Sequence, residues 1–324
     1  MGIDPFEKRI LFITGKGGVG KTTVAAAMAY AARDRGLNVC LVEVTPSPNM
    51  RMIFEQDIPL YKETEVDRNI TVLTIEPFRA LHEYVGLQLK IGGAARLIMN
   101  NRLLNYFLNT APGWRELITV GKIWHLQDMK AKWSKKPRFD LIVVDSPATG
   151  HGLSFLKVPS VFMNIIKMGR MQGQTADVQA MLTDPAISLL NVVTLPEEMP
   201  VNESISLLNT ARDELHMPTG FTFVNSAYSP LFDEASRESF EKLKEDPEAM
   251  ERLKEVFPDN ARGLFSALEN RQARVAQSQY YENLVREKIG PPIVRIPHLY
   301  PGRVDKDGVK KVAEIISQNL NKDA

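Results

Sequence analysis

Apolar positions in this chain fall into short runs of strand length, separated by stretches with helical spacing. Ile10-Leu11-Phe12-Ile13 has no polar alternation, which predicts a strand covered on both faces. The Ala-rich stretch 22–35 reads as a helix that stops at Gly36. Residues 39–44, 70–75, 141–144, 189–195, 221–224 and 293–296 read as further strands. Strands alternating with helices predict an α/β fold, with a mostly parallel sheet and helices on both faces.

Two stretches break the alternation. Residues 79–135 are almost entirely helix-like, with interruptions near Gly92-Gly93 and at Pro112-Gly113. Residues 157–184 are also helix-like and carry Met163, Met168, Met171 and Met181. Both read as one helical subdomain inserted into a single domain spanning 1–324. Val161, Phe162, Met163, Ile165, Ile166 and Met168 are too many for a narrow helix face. They read either as a buried face of that subdomain or as an adaptable apolar groove. Residues 233–287 are charged with mixed sign, the pattern of a solvated helix face.

Composition narrows the function classes. Forty Lys plus Arg against thirty-nine Asp plus Glu give a net charge of +1. That is no polyelectrolyte seeking nucleic acid. No apolar run approaches the ~18 residues of a membrane span. Cys40 is the only cysteine, which excludes a disulfide and a multi-cysteine zinc or metalloid site. The five histidines are scattered without ligand spacing. The start of the chain lacks a secretory pattern, so a cytoplasmic protein is expected.

The sharpest chemical signal is Gly15-Lys16-Gly17-Gly18-Val19-Gly20-Lys21-Thr22, which fits G-x-x-x-x-G-K-[ST]. It follows a predicted buried strand and opens a predicted helix, as the chemistry requires. Glycines let the amides of Gly17, Gly18, Val19 and Gly20 close around phosphate oxygens, and the helix N-terminus adds its positive end. Lys21 would reach the β- and γ-phosphates of ATP or ADP. The Thr22 hydroxyl would ligate Mg²⁺, with Thr23 beside it. Asp145 ends an apolar strand, where a magnesium carboxylate belongs; the alternative is a helix cap or turn.

The second lysine, Lys16, directly after the first glycine, makes the loop resemble the deviant phosphate loop of the arsenite-pump and tail-anchored-protein-targeting ATPases. Asp145-Ser146-Pro147-Ala148-Thr149-Gly150-His151 is similar to that family's second switch, D-T-A-P-T-G-H. Phe155-Leu156-Lys157-Val158-Pro159, Pro112-Gly113-Trp114-Arg115-Glu116, Thr183-Asp184-Pro185 and Leu195-Pro196-Glu197 also resemble family segments. The resemblance covers about residues 8–316 and looks closest to the short bacterial members. It implies that Lys16 contacts nucleotide across a homo- or heterodimer of homologous ATPases, the alternative being a solvated loop lysine. It implies that Asn225 reads adenine, and that Pro297 and His298 pack against the base.

The departures are equally informative. The family's zinc and metalloid cysteines are missing, so neither function transfers. The family's first switch, roughly S-T-D-P-A-H-N, corresponds here to Glu43-Val44-Thr45-Pro46-Ser47-Pro48-Asn49. Asn49 is retained, but Thr45 stands where the family's Asp orients the attacking water. Glu43, two residues earlier, would ligate magnesium or position water; the alternative is a strand-end carboxylate bonding to the loop. The resemblance therefore implies a dimeric Mg-ATP switch that controls a helical region binding a hydrophobic client or membrane-protein partner. The competing expectation is a slowly hydrolysing nucleotide-binding subunit beside a catalytic homologue. A DNA- or membrane-surface partitioning ATPase fits less well, since no basic cluster or amphipathic anchor is present.

Overall fold

A computed structural model describes residues 3–89, 113–131, 134–148, 155–161, 170–233, 261–290, 292–299 and 305–320, together with 236, 238, 239, 242, 243 and 246–257. Eight strands form one sheet: β1 (Ile10–Gly15), β2 (Val39–Glu43), β3 (Thr64–Asp67), β4 (Ile70–Thr74), β5 (Leu141–Ala148), β6 (Ser188–Thr194), β7 (Thr219–Ala227) and β8 (Ile293–Pro297). Their order is β3-β4-β2-β5-β1-β6-β7-β8. Every pairing is parallel except β3 with β4.

β1 lies inside the sheet because its side chains are apolar on both faces. Ile10, Leu11, Phe12 and Ile13 are each 0% exposed. Leu11 and Ile13 face one layer with α1 (Lys21–Asp34) and α9 (Lys306–Leu320). Ile10 and Phe12 face the other layer, with α4 (Trp114–Asp128), α5 (Arg170–Thr183) and α6 (Glu198–Asp213). The sequence-predicted sheet with two-sided helical cover is therefore the observed architecture. α1 is buried from Val24 to Ala32, and its alanines allow close approach to the sheet. Its last turn closes with Gly36 at φ 87°, whose amide donates to the Arg33 carbonyl at 2.7 Å.

The hydrophobic pattern did not reveal β3. Thr64-Glu65-Val66-Asp67 is short and charged, with only Val66 buried, as suits an edge strand. α3 (Pro77–Leu89) packs beside α4, and Phe78 meets Trp114 edge-on with centroids 4.9 Å apart. Residues 155–161 are helical, and Val161 is exposed. Phe162, Met163, Ile165, Ile166 and Met168, the Gly92-Gly93 break, Pro112 and Thr149-Gly150-His151 lie outside the described residues, as does the Met171 side chain. Of the charged stretch 233–287, α7 (Pro247–Val256) buries none of its residues. α8 (Ala261–Lys288) does bury Phe265, Val275, Ser278 and Val285. A solvated face is thus only half of what α8 presents.

Parallel register carries the fold toward its site. Ile13 and Glu43 both pair with Asp145 across neighbouring strands. The phosphate loop, the first switch and the second switch therefore leave the same carboxyl edge of the sheet. The turn out of β1 is tight. Gly15 has φ 148°, and a Cβ there would be driven into the Val193 carbonyl oxygen of β6. Because that oxygen is backbone, no rotamer change relieves the clash. Gly15→Ala should cost about 3 kcal/mol or more, seen as a lower midpoint in denaturant unfolding with an unchanged slope.

Candidate nucleotide site

The loop after β1 is held by its own residues. Gly18 and Gly20 take φ of 86° and 93°, which glycine adopts without strain. Val19, between them, is 1% exposed and anchors the loop in the core. Its carbonyl accepts the Asn225 side-chain amide from the end of β7 at 2.8 Å. The side-chain oxygen of Asn225 remains an acceptor on the other side of that amide. A side chain at Gly17 would have room, its nearest neighbour being Ala148 Cβ at 4.0 Å.

Two lysines on this loop are restrained differently. Lys21 Nζ donates to the Lys16 carbonyl at 3.0 Å. Burial holds the Lys21 ammonium below its ordinary value, opposed by the Asp145 charge. Lys16 Nζ pairs with Glu203 of α6 at 2.5 Å, each side chain about one-third exposed. Thus Lys16 gives its carbonyl to the inner lysine and its ammonium to a neighbouring helix. Sequence reading did not find Glu203, which lies far along the chain with no motif around it.

Thr22 Oγ1 donates to Asp145 Oδ2 at 2.7 Å, joining the first turn of α1 to β5. Asp145 is 8% exposed. Burial pushes its carboxyl up to about 6, against the Thr22 hydrogen bond and Lys21, with Glu43 adding to the rise. A buried carboxylate beside a hydroxyl, at a helix start, is a hard-oxygen donor pair. It fits a small divalent cation such as magnesium.

Glu43 is 3% exposed and both its oxygens are engaged. Oε1 accepts the Ser47 amide at 2.9 Å and Oε2 accepts the Thr74 hydroxyl at 2.7 Å. It ties the first switch to β4. Thr45 is exposed, as is Asn49, in the first turn of α2 (Pro48–Phe54), where the Ser47 hydroxyl caps its amide at 3.3 Å.

A cleft of about 530 Å³ opens beside the loop. Gly18, Gly20 and Thr23 line it together with Asn225, Pro297 and His298, and Asn225 sits directly against the loop. The structure thus brings Gly18, Gly20, Thr23, Asn225, Pro297 and His298 around one cavity, while Lys16, Gly17, Val19, Lys21, Thr22, Glu43, Asn49 and Asp145 are not among its lining residues. Tyr228, which the sequence did not single out, stacks on His298 with centroids 4.7 Å apart and planes 18° from parallel. Burial, then Arg271 and Arg274, hold the His298 imidazole below its ordinary value, so it is neutral at pH 7.

The Asp145 shift has a stability consequence. Its carboxyl holds a proton to higher pH in the folded chain than the unfolded value near 3.9. The folded state therefore binds more protons between about pH 4 and 6, and stability falls as pH rises through that window. Asp145→Asn should be more stable than the parent at pH 7 without nucleotide or magnesium, by up to about 3 kcal/mol. The difference should close as pH drops below about 4; urea unfolding of both proteins at pH 7 and pH 4 checks the sign.

Comparison with known proteins places the chain in a family. The family model described as "Anion-transporting ATPase" matches residues 8–176, just over half of the chain. The ATPase BagA of Mycobacterium tuberculosis (strain ATCC 25618 / H37Rv) is 30% identical over 222 residues, covering 67% of this chain and 64% of that protein. The arsenical pump-driving ATPase of Escherichia coli is 30% identical over 223 residues, covering 68% of this chain and 35% of the relative. The ATPase GET3 of Podospora anserina is 26% identical over 166 residues, covering 51% and 47%. The chain spans just under two thirds of the length of the mycobacterial relatives it matches. Among the described residues, no helix is long and apolar enough to cross a membrane. The family model, covering the phosphate loop, the Thr22–Asp145 pair and the first switch in one register, shows that the chain belongs to the anion-transporting ATPase family.

Proposed function

We propose that this protein binds and hydrolyses Mg-ATP as a nucleotide-dependent dimeric switch. The observation that carries this reading is the convergence of Lys21, Thr22 and Asp145 at one sheet edge, beside a cleft that reaches Asn225 and His298. Loop amides and Lys21 would hold the phosphates, and Thr22 and Asp145 would hold magnesium. Magnesium, when bound, supplies charge neutralisation on the phosphate oxygens. Water would then take the γ-phosphoryl group, breaking its bond to the β-phosphate oxygen and leaving ADP and phosphate. The Asn225 side-chain oxygen is suited to accept from an exocyclic amine, which adenine has and guanine lacks at that position.

Thr45 supports slow turnover by this chain alone. An exposed threonine stands at the position of the family's water-orienting carboxylate. Glu43 is a poor replacement, because both its oxygens already accept hydrogen bonds from the protein. A water-positioning group contributes about 10²–10⁴-fold. Thr45→Asp should raise turnover at saturating Mg-ATP at least tenfold while leaving ATP affinity within about twofold. Glu43→Gln should leave turnover nearly unchanged. Steady-state phosphate release from the three proteins decides the matter, and brisk hydrolysis by the parent that collapses in Glu43→Gln reverses the assignment. On the slow reading, a catalytic homologue in a heterodimer supplies the faster site.

The dimer rests on the family resemblance of Lys16. Within the subunit its ammonium is paired with Glu203 of α6, an ion pair that would open for Lys16 to reach a partner's nucleotide. The helices inserted around 79–135 and 157–184 would be the output region. Support for a hydrophobic client comes from a groove of about 260 Å³ between α3, α4 and α5, lined by Leu87, Leu117, Ile118, Trp124 and Val178. Sedimentation with a non-hydrolysable ATP analogue should show association of the parent, or of the parent with a homologous subunit. Lys16→Ala should abolish that association and leave monomer nucleotide affinity within about twofold, read by calorimetry.

A further inference from the structure

The helix α8, whose charged sequence suggested only a solvated face, contributes Arg274, Gln277 and Ser278 to the wall of the nucleotide cleft. They line it beside Tyr228, which stacks on His298. That tyrosine is fixed at every polar atom it has. Its amide donates to Ser278 Oγ at 3.0 Å, and its carbonyl accepts from Arg295 Nη2 at 2.9 Å. Its hydroxyl accepts from Arg274 Nη1 at 2.7 Å. Its ring lies against the His298 ring and under the Arg271 guanidinium, 4.4 Å from the ring centroid. Arg295 is in turn locked by Glu282 of α8 at 3.1 Å.

Ser278 is buried, so one face of α8 is committed to holding this wall. Arg274 itself is exposed on the cleft side, with its guanidinium carbon 5.4 Å from the Tyr228 centroid. A half-exposed aromatic held by that many contacts is a preorganised surface, and a planar guanidinium beside it adds donors in a fixed fork. Flat rings and guanidinium planes stack on nucleobases, and the same donors reach ribose or base acceptors. Gly18 and Gly20 of the loop line the same cleft, and Lys21 lies on that loop outside the lining.

We propose that Arg274, braced by Tyr228, grips the nucleoside end of the bound nucleotide and makes α8 part of the nucleotide site. This rests on the cleft being the nucleotide site, as proposed above. Arg274 is a binding residue here, grouped with Tyr228 and His298. Its loss weakens binding without altering the phosphate cradle. A cation–π or charge-assisted contact at an exposed site corresponds to roughly a 3- to 30-fold change in affinity.

The test separates the two ends of the ligand. Calorimetric titrations of parent, Arg274→Ala and Arg274→Lys are run with Mg-ATP and with magnesium tripolyphosphate, which has phosphates and no nucleoside. The expected result for Arg274→Ala is ATP binding about 3- to 30-fold weaker, with tripolyphosphate binding unchanged within twofold. Arg274→Lys keeps the charge but not the planar fork, and should lose most of the same ATP affinity. Unchanged ATP affinity in Arg274→Ala overturns the proposal. Equal weakening of both ligands also overturns it, since Arg274 would then act as a general positive charge. A parent that binds neither ligand overturns the nucleotide reading itself, and a parent that binds both identifies any failure as that of Arg274 alone.

Discussion

A carboxylate buried inside a central strand, which runs on to Ala148 rather than ending at Asp145, constrains everything around it. Asp145 must have partners within the protein, and Thr22 provides the hydrogen bond while Lys21 provides the nearest opposing charge. Those partners are adjacent residues at the start of α1, so the helix cannot begin elsewhere without stranding the carboxylate. The start of α1 in turn fixes how the chain leaves β1, which forces glycine at position 15 against β6. Helix, loop and sheet order thus meet the requirement of one buried acid.

The fold was legible where burial is two-sided. Uninterrupted apolar runs at β1, β2 and β5 can only be strands of a covered parallel sheet, and the intervening helices follow from connecting parallel strands. β3 was not legible, because an edge strand with one buried residue has no hydrophobic signature. The site divided along the same line. Glycines and lysines of the phosphate loop, with Asp145, carry their chemistry in local spacing. Glu203, Tyr228 and Arg274 do not, because they act through contacts between segments far apart in sequence, and α8 looks in one dimension like any mixed-charge helix. Glu43 was legible as a candidate, but only three dimensions reveal that Ser47 and Thr74 occupy both of its oxygens.

Sheet direction assembles the cleft. The turn after β1 and the start of α1 bring Gly18, Gly20 and Thr23, and β7, β8 and the turns after them bring Asn225, Tyr228, Pro297 and His298. Parallel strands put these on one edge, and α8 adds Arg274, Gln277 and Ser278. The neutral His298 beside Tyr228 suits this arrangement, since a charged imidazole next to Arg271 and Arg274 would be repelled.

The bond from Lys21 to the Lys16 carbonyl leaves most of the ammonium's capacity unspent. An ammonium carries three protons, and that carbonyl, 3.0 Å away, takes one of them. The other two can meet incoming oxygens without breaking the bond, so the side chain is already aimed and has little rotamer freedom left to lose. A cation held ready in this way puts its interaction energy into the ligand rather than into its own ordering.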